Sequence, residues 1–462
     1  MAQEMWSPSS WQSKPNPYPI TYEDQALAHE VLDKISRLPA LVTEAEVSIL
    51  KSALREVALG KAIIWQGGDC AELFEYCNEE TVLGRIKMLS QMGQQFTQQT
   101  NIPSLLIGRI AGQYGKPRNS LTEILNGVEV PKFYGDNIND SNPLKREPNP
   151  LRLTEAYFYS SATLNRIRAA LSAQPPPSIQ GTGFGQDRVQ DEDGLSPSSL
   201  WCQFVQSPPG ISSTPPIFTS HEALYLQYEQ AMTRPWGPEV NGTMHSRRGE
   251  KVASSSKPGR WYNSSAHFVW IGDKTRQLDG AHVEYFRALE NPIGVKLGPS
   301  VKSNELIRLL DILDPQKETG KVTLITRLGS DRVYDILGNL IDSVQRSGHC
   351  VVWQCDPMHG NTRTSESGIR TRDMLRIFNE IRTSLEIHRQ HGSWLGGIHL
   401  EMTPDDVVEC TGGIEGWVDA DLGPAYKTKC DPRLNESQSM EIVHAVAKLF
   451  RKSDEPYFRS KL

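Results

Sequence analysis

The sequence IGVKLGPSVKSNELIRLLDILDPQKETGKVTLITR, residues 293–327, places a helical pattern between two short apolar runs. The first run contains Lys296 near its end, and the second is followed directly by Arg327. Between the runs, leucine and isoleucine recur at the spacing of an amphipathic helix. A strand, a helix and a second strand in this order form the repeating unit of a parallel α/β sheet.

The same alternation continues on both sides of this stretch. Helical patterns cover Ser303–Leu313, 333–346 and 372–391. The apolar runs that predict strands are 62–65, 105–110, 268–271, 293–297, 322–326, 350–354 and 397–400, with 217–219 as a candidate eighth. Eight parallel strands joined by crossover helices close into a (β/α)8 TIM barrel, so we predict an α/β fold of this class.

The remaining segments suggest how the chain is organised. Residues 24–58 carry two amphipathic helical patterns, which predicts an N-terminal helical extension, 1–58, before a TIM-barrel catalytic domain, 59–462. Two stretches rich in Pro, Gly, Ser and Gln, 173–216 and 236–260, are predicted to be mobile loop insertions.

Polar residues follow the predicted strands at corresponding places. Each of the following lies at the end of an apolar run or shortly after it: Cys70, Arg109, Asp273, Lys296, Arg327, His359 and Glu401. In a TIM barrel the C-terminal ends of the strands meet at one face, where active sites are built. We therefore expect these side chains to converge.

Composition excludes several classes of protein. The net charge of −6 over 462 residues argues against a general nucleic-acid binder. No apolar run is long enough to span a bilayer, so we expect no membrane partner. Seven cysteines without CxxC pairs are typical of a reducing compartment. The chain ends in Ser460-Lys461-Leu462, a peroxisomal address in eukaryotes, so we expect a peroxisomal protein if the source is eukaryotic and a cytoplasmic one otherwise.

Long motifs identify a family resemblance. They are WQGGDC (65–70), GRIAGQYGKPRN (108–119), WIGDKTRQ (270–277), IGVKLGP (293–299), CDPMHGN (355–361), GGIHLE (396–401) and KCDPRLN (429–435). These motifs resemble those of the class II (plant-type) 3-deoxy-D-arabino-heptulosonate 7-phosphate (DAHP) synthases. The resemblance implies condensation of phosphoenolpyruvate with erythrose 4-phosphate at the entry to the shikimate pathway, by a homo-oligomer that is a dimer or a tetramer.

The resemblance also implies a metal site, formed by Cys70, His359, Glu401 and Asp431. One thiolate, one imidazole and two carboxylates suit a divalent metal, with Mn²⁺ favoured and Co²⁺, Fe²⁺ or Zn²⁺ as alternatives. Cys430 adjoins Asp431, and we hypothesise that oxidation joins it to Cys70 and displaces the metal.

The expected substrate contacts are cationic, because phosphate and carboxylate are anions. By resemblance, Arg109, Lys274, Lys296 and Arg327 hold phosphoenolpyruvate, and Lys116, Arg118 and Asn119 hold the phosphorylated aldose. Asp273, beside Lys274, is a further expected substrate-binding residue. Arg109, Lys296 and His359 are the expected catalytic residues. Without the resemblance, the cations within 109–118 would be interpreted as part of a solvated basic loop. Lys296 and Arg327 would each be interpreted as a member of a structural ion pair inside the barrel.

The chain departs from the family pattern at three of these positions. The family has Glu-Arg where this chain has Asp273-Lys274, and Ser or Thr where it has Asn119. Arg and Lys are not interchangeable where a planar fork grips an anion. Three hypotheses therefore remain: a synthase of the shikimate entry reaction, a divergent homologue that condenses phosphoenolpyruvate with another aldehyde, and a non-catalytic regulatory subunit.

Overall fold

The computed structural model describes residues 6–118, 122–125, 127–172, 216–237 and 259–451. Apart from their terminal residues, the two predicted insertions, 173–216 and 236–260, lie outside this part of the chain, as do Asn119 and the C-terminal tripeptide. Predictions about those segments therefore stay predictions.

Eight parallel strands form a closed barrel in which each strand pairs with its neighbours in chain order. They are β1 (Ile63–Gly68), β2 (Ser104–Arg109), β3 (Ile217–Glu222), β4 (Phe268–Ile271), β5 (Ile293–Leu297), β6 (Val322–Thr326), β7 (Val352–Cys355) and β8 (Leu395–Glu401). Strand β1 pairs with both β2 and β8, which closes the barrel. The predicted TIM barrel is confirmed, and the candidate eighth strand is β3.

Strand ends differ in places from the prediction. The run 350–354 predicts a strand from Cys350, but β7 begins at Val352. The Cys350 carbonyl accepts a hydrogen bond from the Gly320 N–H (2.9 Å), in the turn that precedes β6. The last strand, β8, is longer than the predicted run, 397–400, and includes Glu401.

Helices surround the barrel. They are α1 (Gln25–Ser36), α2 (Glu44–Ala58), α3 (Glu79–Thr100), α4 (Leu151–Ser172), α5 (Leu226–Ala231), α6 (Ala281–Phe286), α7 (Ser303–Leu313), α8 (Val333–Ser347), α9 (Met374–Gln390) and α10 (Glu436–Arg451). Their starts follow local chemistry: Thr43 and Glu46 form a capping box on α2, and the Asp373 side chain accepts from the N–H groups that begin α9. Within the described residues, no helix combines the length and apolar character that a membrane crossing needs.

Antiparallel hairpins extend from the loops. They pair Thr122–Leu125 with Val128–Pro131, Thr233–Pro235 with Trp261–Asn263, and Thr362–Thr364 with Arg370–Arg372. The third hairpin connects β7 to α9 and ends in residues that reach the site described below.

Helix α2 closes the N-terminal end of the barrel. Its side chains Leu50, Leu54 and Val57 are fully buried and share one apolar cluster with Phe268 and Val352, the first residues of β4 and β7. Burial of a leucine or valine of this kind contributes about 1.5–3 kcal/mol. Because this end is sealed by apolar side chains, the polar residues that follow the strands line the opposite face.

Candidate active site

Arg109 joins the ends of three strands, β1, β2 and β8, at the C-terminal face of the barrel. Strand pairing places Gly68 of β1 beside both Arg109 and Glu401. The Arg109 guanidinium donates to the Cys70 carbonyl (2.9 Å), to Glu401 Oε1 (3.2 Å) and to Nε2 of His399 (2.6 Å). Burial lowers the pKa of His399 well below its usual value, so the neutral ring accepts this bond. Arg109 is thereby fixed next to Glu401.

Three of the four predicted metal ligands lie together. Cys70, Glu401 and Asp431 each offer a ligand atom within 4.8 Å of the others. His359 is brought to the same place, because its Nε2 lies 2.9 Å from Glu401 Oε1. Lys116 Nζ lies 2.6 Å from both Cys70 Sγ and Asp431 Oδ2.

The donor set fits a divalent cation. Cys70, Glu401 and Asp431 are all buried, and like charges this close destabilise one another unless a cation is present. Burial would raise the pKa of Glu401, but His359 and Arg372 hold that pKa well below its usual value. Burial also opposes the charge on Lys116, yet Asp431 and Cys70 raise its pKa. The cluster thus favours positive charge at its centre, and a thiolate, an imidazole and two carboxylates are ligands for Mn, Fe, Co or Zn.

Cys430 lies against the same cluster. A hydrogen bond with the Cys70 thiol lowers the pKa of Cys430 to about 7. Arg118 does not face the cavity described next: its Nε donates to the Phe133 carbonyl (2.6 Å), and its Nη2 lies 3.8 Å from Cys430 Sγ.

A cavity of about 550 Å³ opens beside the cluster. Its lining includes cations from five loops or strand ends: Arg109, Lys116, Lys274, Lys296 and Arg327. The structure therefore brings together all the predicted cations within its described part except Arg118.

Asp273 organises one wall of this cavity. Its Oδ1 accepts from the Gly298 N–H (2.7 Å) and from Arg276 Nε (3.1 Å), and its Oδ2 lies 3.7 Å from Arg327 Nη1. The neighbouring Lys274 is exposed at the cavity rim. Asp273 therefore contributes to this wall by holding Arg327 in place.

Asp356 links Lys296 to His359. Its Oδ2 accepts from Lys296 Nζ and contacts His359 Nδ1 (2.7 Å). Burial acts to raise the pKa of Asp356, but His359 and Lys296 hold that pKa well below its usual value. Burial lowers the pKa of Lys296 to about 8, with Asp356 opposing the shift. One buried carboxylate thus orients two predicted catalytic residues.

Sequence reasoning missed several residues of the site. Besides Asp356, they are Glu222, Trp270, Arg372 and His399. The Trp270 ring lies under Arg109 and Lys296, with centroid distances of 5.5 Å and 5.7 Å. Glu222 ends β3, and the rule that polar residues follow strands would have found it had that strand been extended beyond 219.

The fold and this face are those of a TIM-barrel enzyme, with a cation-lined cavity next to a cluster suited to a divalent metal. The chain belongs to the class-II DAHP synthetase family, whose sequence model matches residues 6–192 and 202–447. The protein is therefore an enzyme of the DAHP synthase type, a transferase.

Curated relatives agree with this assignment. A phospho-2-dehydro-3-deoxyheptonate aldolase of Neurospora crassa is 44% identical over 461 residues, covering 96% of this chain and 94% of the relative. An enzyme of the same name from Streptomyces coelicolor is 37% identical over 455 residues, covering 96% and 97%. The phospho-2-dehydro-3-deoxyheptonate aldolase AroG of Mycolicibacterium smegmatis is 38% identical over 433 residues, covering 90% and 89%.

Proposed function

We propose that the protein condenses phosphoenolpyruvate with erythrose 4-phosphate to give DAHP and phosphate, as the metal-dependent first step of the shikimate pathway. The observation that carries the proposal is the contact between the Cys70–Glu401–Asp431 cluster and a cavity lined by five cations. The names of the relatives support the same reaction.

The cations of the cavity would bind the substrates. Arg109, Lys296 and Arg327 surround one part of it and would hold the phosphate and carboxylate of phosphoenolpyruvate. Lys116 borders the metal-type cluster and would hold the phosphate of the aldose. Because these groups are fixed by buried partners, they would align the two carbons before reaction, which lowers the entropic part of the barrier.

A divalent metal is part of the proposal. Held by Cys70, His359, Glu401 and Asp431, it would polarise the aldehyde oxygen. We propose Mn²⁺, with Co²⁺, Fe²⁺ and Zn²⁺ as alternatives, because the mixed S/N/O set accepts all of them. Titration of metal-free protein with each ion, followed by metal analysis, would identify the ion. Co²⁺ should give a thiolate charge-transfer absorption that Cys70→Ser abolishes, and its persistence would exclude Cys70 as a ligand.

The proton steps belong to side chains beside the cluster. Carbon 3 of phosphoenolpyruvate attacks the aldehyde carbon, whose oxygen takes up a proton, while water adds at carbon 2 and releases one. Phosphate then leaves as the new hydroxyl at carbon 2 loses its proton and becomes the ketone. Lys296, with a pKa of about 8, is suited to give or hold a proton near neutral pH, and Asp356 keeps it oriented. Glu222 lines the same cavity, and burial raises its pKa.

Consumption of phosphoenolpyruvate by the purified, Mn²⁺-loaded protein tests the proposal. Erythrose 4-phosphate should support turnover that Cys70→Ala abolishes, while Cys350→Ala, a matched control away from the cluster, keeps it. Turnover only with a different aldose phosphate would establish the divergent homologue instead. No turnover across a panel of aldehydes would favour the non-catalytic regulatory subunit.

The divergent homologue is favoured by one specific observation. Asp273 holds Arg327 through a short side chain, and Lys274 supplies a point charge where the family has the fork of an arginine. A changed anion grip of this kind could accept another aldehyde partner. Turnover of erythrose 4-phosphate in competition with each aldehyde of the panel, measured in wild type and in Lys274→Arg, shows which aldehyde each form prefers.

Two further parts of the proposal concern the cell. We propose a homo-oligomer, a dimer or a tetramer, which sedimentation of the purified protein would test. We also propose peroxisomal import through Ser460-Lys461-Leu462 in a eukaryotic source. A fluorescent protein fused to the N-terminus should localise to peroxisomes, and deletion of Leu462 should abolish this localisation. Cytosolic fluorescence from both forms would contradict peroxisomal import.

A further inference from the structure

Glu380 on α9 is a carboxylate with no exposed surface. Its Oε1 accepts from the backbone N–H groups of Leu328 (2.9 Å) and Gly329 (2.8 Å). Its Oε2 accepts from the side-chain amide of Asn361 (2.6 Å). All three partners are neutral donors, and they come from two different loops of the C-terminal face.

Those two loops carry predicted site residues of different kinds. Leu328 and Gly329 directly follow Arg327, which lines the anion cavity. Asn361 follows His359, the predicted metal ligand, by two residues. Glu380 itself contacts neither Arg327 nor His359 in the bonds described, so it acts on both through the backbone.

Further bonds tie the same loops to each other. Asn361 Oδ1 accepts from the Ser330 N–H (3.0 Å), and Arg327 Nη2 donates to the His359 carbonyl (2.9 Å). The backbones also touch: a Cβ on Gly360 would lie 2.4 Å from the Gly329 nitrogen. Gly329 has a φ of +86°, in the left-handed region that glycine favours. The two loops therefore form one unit, which we call the Glu380 clamp: Glu380, Asn361 and residues 328–330.

The clamp requires a group that accepts hydrogen bonds at both of its oxygens. A glutamine at 380 would place its NH₂ group either against the two backbone N–H groups or against the amide of Asn361, and each arrangement opposes two donors. Burial acts to raise the pKa of Glu380, and the backbone and Asn361 donors oppose that shift. Among the described residues the two oxygens face three donors and no acceptor, so the bonds are those of the charged form. A buried carboxylate without a cation is costly, and its cost is offset only by well-formed hydrogen bonds.

We propose that Glu380 is a positioning residue that couples the anion site at Arg327 to the metal site at His359. The proposal rests on the proposed function, since it needs both ligands. Binding of phosphoenolpyruvate at Arg327 orders the 328–330 loop, and the clamp transmits this order to His359. Each ligand therefore tightens the other, by a factor of about 5–150, as is usual for coupled sites.

Binding measurements on the full chain test the coupling. The Kd of Mn²⁺ is measured with and without phosphoenolpyruvate, and the Kd of phosphoenolpyruvate with and without Mn²⁺. In Glu380→Gln we expect both ligands to bind but the coupling factor to fall toward 1. Glu386→Gln, an exposed carboxylate on the same helix, should keep the wild-type factor.

An exchange of roles separates positioning from stability. In Glu380→Gln with Asn361→Asp, the glutamine NH₂ faces the new carboxylate and its oxygen faces the two backbone N–H groups. This double variant should regain a large part of the coupling factor, although the Pro357 carbonyl loses the Asn361 donor. If Glu380→Gln does not fold, Asn361→Ala takes its place. It removes the other half of the clamp, so we expect the same loss of the coupling factor.

The outcomes distinguish the two proposals. Wild type that binds neither ligand would overturn the proposed function and the coupling with it. Wild type that binds both, with the same coupling factor in Glu380→Gln or Asn361→Ala, would overturn the coupling alone. A double variant as uncoupled as Glu380→Gln would also overturn it, because the donor and acceptor match would then be irrelevant.

Discussion

The buried Lys296 predicts that phosphoenolpyruvate affinity falls at alkaline pH. Its Nζ contacts Asp356 and lies 5.7 Å from the centroid of the Trp270 ring. Burial lowers the pKa of this lysine to about 8, from the usual 10.5. In the proposed function phosphoenolpyruvate binds the charged form of Lys296, so the affinity that depends on this residue is fully present below about pH 8 and is lost as pH rises above it.

The magnitude follows from the charged fraction of the lysine. Each pH unit above the pKa reduces that fraction about tenfold, and a hydrogen bond to a charged group contributes about 1.5–3 kcal/mol. Affinity should therefore fall about 10- to 50-fold between about pH 7 and about pH 10. Calorimetric titration of metal-free protein measures it without metal hydroxide formation.

Two variants decide whether Lys296 is responsible. Lys296→Arg keeps its charge across this range, so its affinity, although altered overall, should be nearly independent of pH. Lys274→Arg leaves Lys296 buried and should keep the alkaline fall. Constant wild-type affinity up to about pH 10, or an unchanged fall in Lys296→Arg, would refute the argument.

Three more predictions concern stability and metal retention. Arg372→Met should destabilise metal-free protein by up to about 3–5 kcal/mol in urea unfolding, because it breaks a fully buried ion pair and removes the partner of Glu401 Oε2. Arg370 is 52% exposed, so Arg370→Met should cost at most about 1 kcal/mol. Burial lowers the pKa of Lys321 to about 8. Because the unfolded chain still binds this proton, the free energy of unfolding should rise between about pH 8 and about pH 10.5, by up to about 3 kcal/mol relative to Lys321→Met. Parallel curves of unfolding free energy against pH for wild type and variant would contradict this. Mild oxidation should lower the metal content of wild type but not of Cys430→Ser, and equal losses would exclude a disulfide with Cys70.

The sequence predicted the barrel because its strands are short, apolar and separated by helical patterns. Burial on both faces makes parallel strands nearly continuous apolar runs, and the runs ending at Leu297 and Thr326 match β5 and β6 at both ends. Strand β3 was harder, because its second half contains Ser220, His221 and Glu222, which are polar although they lie in the barrel. Apolar content alone could not show that these side chains find partners inside.

The site was predicted unevenly for a similar reason. Residues at strand ends could be expected to converge, and Cys70 and Glu401 do so. Asp431 joins them from a loop well after the last strand, and only the family resemblance predicted it there. Arg372 could not be assigned, because its role depends on a hairpin that returns to Glu401 after β7. The position of Arg118 also depends on loop geometry, which places it against Phe133 and not in the cavity.

Helix α2 also sets an order of events during synthesis. It leaves the ribosome before any strand, yet it shares its apolar cluster with β7, which begins at Val352. At about 5–20 residues per second, the roughly 300 residues between them take about 15–60 s to synthesise. Throughout that interval the apolar cluster that covers Leu50, Leu54 and Val57 is incomplete. The apolar face of α2 is therefore incompletely covered for most of the time that the chain is being translated. A chaperone that shields residues 44–58 would act during this interval.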